Sequence, residues 1–214
     1  MSRRFGVPAR VLALVLVLAP VAGCGFFRGT QTDARNVMHP DADIRRETVQ
    51  AIGEAPPSPD AMTVLVDRLL KDPDPLVRAQ AARSLGRHRY PEGVAYLLEA
   101  LKDTHAVVRW DACDALGHVG DPVAVEPIMA LLVTDDNVDV KRAAAGSLTL
   151  FKDERSIPAL IAALGDLEPG VAKSAANALV LITGQGFGLD REAWQAWWNS
   201  RPGAPAHEPA ARQE

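Results

Sequence analysis

A short pattern recurs five times along this chain. It is fullest at Leu76-Val77-Arg78-Ala79-Gln80-Ala81-Ala82-Arg83-Ser84-Leu85-Gly86 and returns at Val108-Arg109-Trp110-Asp111-Ala112-Cys113-Asp114-Ala115-Leu116-Gly117. Weaker copies stand at Ile44-Arg45…Ile52-Gly53, Val140-Lys141…Leu148 and Val171-Ala172…Leu179. The anchors Ile44, Val77, Val108, Val140 and Val171 lie 33, 31, 32 and 31 residues apart. A near-fixed period of this length points to an array of like units, each burying its apolar face against its neighbours.

One unit shows the local logic. Asp74 suits an N-cap and Pro75 a first helical position. Val77, Ala81, Ser84 and Leu85 then fall on one helical face. Gly86 is read as permitting the turn that ends the helix. Pro91-Glu92 opens a second helix, with Val94, Leu97, Leu98 and Leu101 on its buried side. Further second helices are expected at 62–70, 123–132 and 157–164. Aromatic residues are only 5% of the chain, so the units must pack through small side chains. The expected fold is all-α, a right-handed α-solenoid of about five stacked helical hairpins.

Charge repeats with the same step. Asp72, Asp103, Asp135 and Asp166 each stand five residues before an anchor valine, and Arg45, Arg78, Arg109 and Lys141 each stand one residue after an anchor. Acids and bases at matching places suggest a ladder of inter-repeat pairs. A charged recognition strip is the alternative, but a repeated position serves stacking register first. The fifth copy has Ala172 at the basic position, with Lys173 beside it.

The Val-Arg-x-x-Ala-x-x-Ala-Leu-Gly pattern with its 31–33 residue step resembles the short HEAT-like repeats of phycobilisome lyases, over about residues 40–198. The resemblance is specific for architecture and says little about activity. Proteins built this way include scaffolds, adaptors, bilin lyases and a di-iron hydroxylase.

The first residues read as an address. Arg3, Arg4 and Arg10 precede an apolar run of nine, residues 11–19, which Pro20 ends. The run is far short of the ~20 apolar residues that span a bilayer and has the layout of a secretory signal. Val21-Ala22-Gly23-Cys24 resembles the lipobox of bacterial lipoproteins. It implies cleavage after residue 23 and lipidation of Cys24, and Gly25 in place of Asp implies sorting to the outer membrane. The expected layout is a signal peptide at 1–23, a lipidated Cys24 with a tether at 24–38, the array at 39–198 and a disordered tail at 199–214. Loss of 1–23 removes three arginines and no acid, so a formal charge of −4 becomes −7. Such a surface has no footprint for nucleic acid and no attraction to anionic headgroups. An exported envelope protein facing the periplasm is expected, held to the membrane by lipid.

Beyond residue 183 the repeat gives way to a glycine-rich turn and a helix with Asp190 as N-cap. Leu189 and Trp194 are spaced as a hydrophobic staple. Trp194, Trp197 and Trp198 share one helical face. They are read as a lid over the last repeat, with an aromatic ligand cradle as the sharper alternative.

Catalytic signatures are missing from the sequence. His39, His88, His105, His118 and His207 form no helical metal-ligand pair. The di-iron hydroxylases of the resembled family need several His-Glu dipeptides, and this chain has only His207-Glu208. No catalytic residue, metal or cofactor is expected. Cys113 occupies the place of Ala82 and Ala145 and reads as a small buried hydrophobe. Trp110 stands about 200° round the helix from its anchor, away from the core. It is either the anchor of a partner interface or lies flat on its own repeat under Arg109 or neighbouring loops. The leading expectation is a non-catalytic, lipid-anchored scaffold or adaptor for a protein or peptide partner. The alternative is an enzyme or enzyme subunit of lyase type, although an exported lipoprotein would sit in the wrong compartment for a bilin lyase.

Overall fold

The computed structural model describes residues 34–201. The expected signal peptide, Cys24 and the residues beyond Arg201 lie outside them. The described residues form ten α-helices and no strand. The helices are α1 (Ala42–Glu54), α2 (Pro59–Lys71), α3 (Pro75–His88), α4 (Val94–Ala100) and α5 (Ala106–Val119). They continue as α6 (Val125–Thr134), α7 (Val138–Phe151), α8 (Ile157–Ala163), α9 (Pro169–Thr183) and α10 (Arg191–Asn199). Consecutive helices pair as hairpins and the hairpins stack, giving an α-solenoid. The odd-numbered helices up to α9 form one layer and the even-numbered ones the other.

Local chemistry sets the helix starts. Asp41, Asp74 and Asn137 cap α1, α3 and α7 by accepting backbone N–H groups of the first turn, which satisfies donors that have no partner inside the helix. Second helices α4, α6 and α8 are entered through one 3₁₀ turn each, at Pro91–Gly93, Pro122–Ala124 and Glu154–Ser156. Val123 therefore belongs to a turn and is exposed, not part of a helical core. Leu98 is only half-buried.

The core runs the length of the array. Val77, Val108, Val140 and Val171 are fully buried, as are Leu85, Leu116, Leu148 and Leu179. Ile44 is half-buried, since among the described residues only the short turn at Ala34–Met38 packs before α1. Gly86 does not make the turn that its position near the helix end suggests. It lies within α3, and Arg89, in the left-handed region at φ 51°, closes the helix instead. A Cβ on Gly86 would sit 2.5 Å from Ala115 Cα, so the glycine is there for contact between α3 and α5. Gly53 against Ser84 and Gly117 against Ser147 repeat that close approach.

Both ends are closed. Ala34–Met38 is a 3₁₀ helix whose Val37 is buried, and Arg68 Nη1 donates to the Val37 carbonyl at 3.3 Å. The last residues of the expected tether are thus packed on the array. At the other end α10 lies beside α8 in the second-helix layer.

Candidate functional site

Two regions of the array concentrate polar chemistry. The first is the edge where one hairpin passes to the next. Arg45 donates to Asp72 through Nε and Nη2 at 2.9 and 2.8 Å, Arg78 to Asp103 at 2.8 and 2.9 Å, and Arg109 to Asp135 at 2.8 and 2.8 Å. Lys141 donates to Asp166 at 2.8 Å. Each arginine also turns Nη1 back to loop carbonyls five and six residues earlier, so that it clasps two successive loops. Each aspartate in turn accepts the backbone N–H two residues on. A planar fork can do this and a single ammonium cannot, so the Lys141 rung is the weakest.

The electrostatics follow. Burial raises the pKa of Asp72, Asp103 and Asp135, but their arginines and the backbone N–H groups outweigh it and hold all three below the usual carboxylate range. Asp166 is lowered chiefly by the Lys141 hydrogen bond. Hydrogen bonding to these carboxylates raises Arg45, Arg78 and Arg109.

The second region is the outward face of the first-helix layer. Positions four residues apart line up along each helix: Ala79, Arg83 and Arg87 on α3, Trp110, Asp114 and His118 on α5, and Arg142, Gly146 and Leu150 on α7. All but Ala79 reach solvent. Trp110 is 38% exposed, and the guanidinium over its ring, 6.0 Å from the centroid, is that of Arg83 and not Arg109. Arg83 in turn binds Asp111 through Nε at 3.0 Å and Nη2 at 2.9 Å. Asp111 is 1% exposed, and its burial pushes its pKa up, with Arg83 offsetting only part. Sequence reading found Trp110 and missed this pair. An arginine on one repeat and an aspartate 28 residues later on the next was the available signal.

The tryptophan helix packs as an end piece. Trp194 is fully buried and its Nε1 donates to the Gly188 carbonyl at 3.0 Å. Phe187, not Leu189, is the residue that packs on it, edge to face at 5.0 Å, while Leu189 is exposed. Trp197 and Trp198 are half-buried, with the Arg201 guanidinium 5.2 Å from each ring. That side chain also binds Glu154 at 2.8 Å.

Cys113 is fully buried in α5, 3.6 Å from Ser147 Oγ, and burial pushes its thiol up to about 12. Among the described residues no three His, Cys, Asp or Glu side chains converge as metal ligands would.

The repeat geometry is matched by a family model described as HEAT repeats, over residues 34–103, 62–137 and 125–187. The chain belongs to the HEAT-repeat family. Among curated proteins this HEAT chain is 28% identical over 116 residues to the bilin biosynthesis protein PecE of Mastigocladus laminosus, covering 51% of this chain and 43% of that one. It is 32% identical over 107 residues to deoxyhypusine hydroxylase of Aspergillus clavatus, covering 48% and 32%. The chain spans less than half the length of these relatives. The same fold occurs in the complex of CpcE and CpcF of phycocyanin lyase from Nostoc sp. PCC7120, at 18% identity and a TM-score of 0.64, over 84% of this chain and 73% of that one.

These relatives correct one expectation. The chain was expected to be non-catalytic because it carries no catalytic motif. One of its relatives is named for bilin biosynthesis and the other as a hydroxylase, so HEAT arrays similar to this one belong to proteins named for catalysis, and the missing motifs do not make the chain non-catalytic.

Proposed function

We propose that this protein is an enzyme subunit of lyase type that works with a second protein and is held at the cell envelope by lipid on Cys24, a compartment in which its acceptor differs from that of a bilin lyase. The observation that carries the reading is the similarity to the bilin biosynthesis protein, which runs over 116 residues. The shared fold with a two-protein lyase complex supports a partner at the level of architecture. The array offers a rigid support: clasped loops on one edge and an open polar face on the first-helix layer. The lipobox-like Val21-Ala22-Gly23-Cys24 behind an apolar run supports the anchor.

The test is a titration of the purified full-length protein with biliverdin, an open-chain tetrapyrrole. Saturable induced circular dichroism in the visible range is expected, and a flat visible signal throughout would remove the lyase-type reading. The anchor is tested separately by feeding radiolabelled palmitate to expressing cells. Label on the wild type and none on Cys24→Ser is expected; equal labelling, or none on either, would overturn it.

A further inference from the structure

We propose that Arg83 and Trp110, fixed by Asp111, form a binding site for a flat conjugated molecule that bears a carboxylate. The starting point is a buried acid that the fold does not need. Asp72 and Asp135 are also buried, but each accepts a backbone N–H at a loop and closes a rung of the edge. Asp111 has Arg83 as its hydrogen-bond partner and caps nothing. The same helical position carries Ala143 and Ser174 in later repeats, so stacking proceeds without a carboxylate there. Enclosing one costs free energy unless it is paired, and a small apolar residue would stack as well. What Asp111 achieves is to fix the direction of Arg83.

The guanidinium is held by one edge only. Asp111 takes Nε and one N–H of Nη2. Nη1 makes one long contact, 3.5 Å to Gln80 Oε1. The group carries five donors in a planar fork, so the Nη1–Nη2 edge is left for an outside acceptor, and the side chain is 46% exposed. That guanidinium lies over the Trp110 ring, and 38% of the Trp110 surface stays open. A fork suited to a carboxylate and an open aromatic surface suited to a π-system therefore meet at one place. The nearest exposed acid on the same helix face, Asp114, is turned to His118, with its carboxylate 3.5 Å from Nδ1.

The inference deepens the lyase-type reading and rests on it for the choice of a small molecule over a peptide. It is tested on the full-length protein labelled with 5-fluorotryptophan. The chain has four tryptophans, and a Trp110→Phe variant identifies the Trp110 resonance. Titration with 2-naphthoate should shift that resonance saturably and leave the three resonances of the end helix in place. 2-Naphthamide, which lacks the charge, should bind at least ~10-fold more weakly. Arg83→Gln should abolish the shift. Arg83→Lys, which keeps charge and loses the fork, should weaken it, and unchanged end-helix resonances report that both variants fold. A silent Trp110, an equal response to the amide, or a response that survives Arg83→Gln would overturn the site. So would binding of an acetylated Trp-Asp peptide in place of naphthoate. Induced dichroism with biliverdin alongside a silent Trp110 would sink the site and spare the lyase-type reading. A Trp110 response with no biliverdin signal would do the reverse.

Discussion

The same substitution, glycine to alanine, should have opposite signs at two places in the first-helix layer. At Gly86 an added Cβ would lie 2.5 Å from Ala115 Cα and 2.6 Å from Ala115 Cβ. Ordinary contact begins near 3.4 Å, so α3 and α5 must move apart by about 0.9 Å, and backbone rather than a flexible side chain has to give. Overpacking of this kind costs about 1–3 kcal/mol, against roughly 1 kcal/mol gained when a helical glycine becomes alanine. At Gly146, in α7, nothing lies within 4 Å of the added Cβ and only the gain remains. Gly86→Ala should lose up to about 2 kcal/mol and Gly146→Ala should gain about 0.5–1 kcal/mol. Urea unfolding followed by far-UV circular dichroism reads both. With a slope of about 2 kcal/mol per molar, the two midpoints should separate by roughly 1 M around the wild type. A Gly86→Ala midpoint at or above that of Gly146→Ala would refute the close-approach argument.

Other outcomes follow from the edge and the ends. Arg109→Met should destabilise by about 3–5 kcal/mol, because it strands the buried Asp135 carboxylate, whereas Lys141→Met breaks a single bond and should cost clearly less in the same urea assay. The edge aspartates titrate below their unfolded values, so their contribution is present above the unfolded pKa near 4. It should disappear as the pH falls through the depressed folded values, seen as a thermal midpoint that falls below about pH 4. Cys113 should resist a maleimide at pH 8 in the folded protein and react on unfolding, since its thiol is buried and raised to about 12. Amide exchange should be fastest where the clasping arginines run out, in α8 and α9, and Lys141→Arg should slow it there.

Much of this architecture is local and therefore legible in the sequence. The anchor spacing marks the repeats, Asp74 with Pro75 marks a helix start, and aspartate and arginine at fixed offsets from each anchor mark the edge. These are properties of a residue and its near neighbours, copied at each step, so periodicity reveals them. Gly86 looks like a helix terminator until α5 is seen against it. Arg83 and Asp111 look like two unrelated surface charges until stacking brings α3 beside α5. Phe187 displaces Leu189 on Trp194 because the glycine-rich turn decides which side chain swings inward, and Val37 joins the array because the first hairpin leaves an open end to cover. Function was the least legible of all. The repeat pattern encodes how hairpins stack, and side chains on the outward face are free of that constraint. The repeated residues thus fixed the helices and their order, while the distances between helices, which no single repeat contains, decided which polar groups meet.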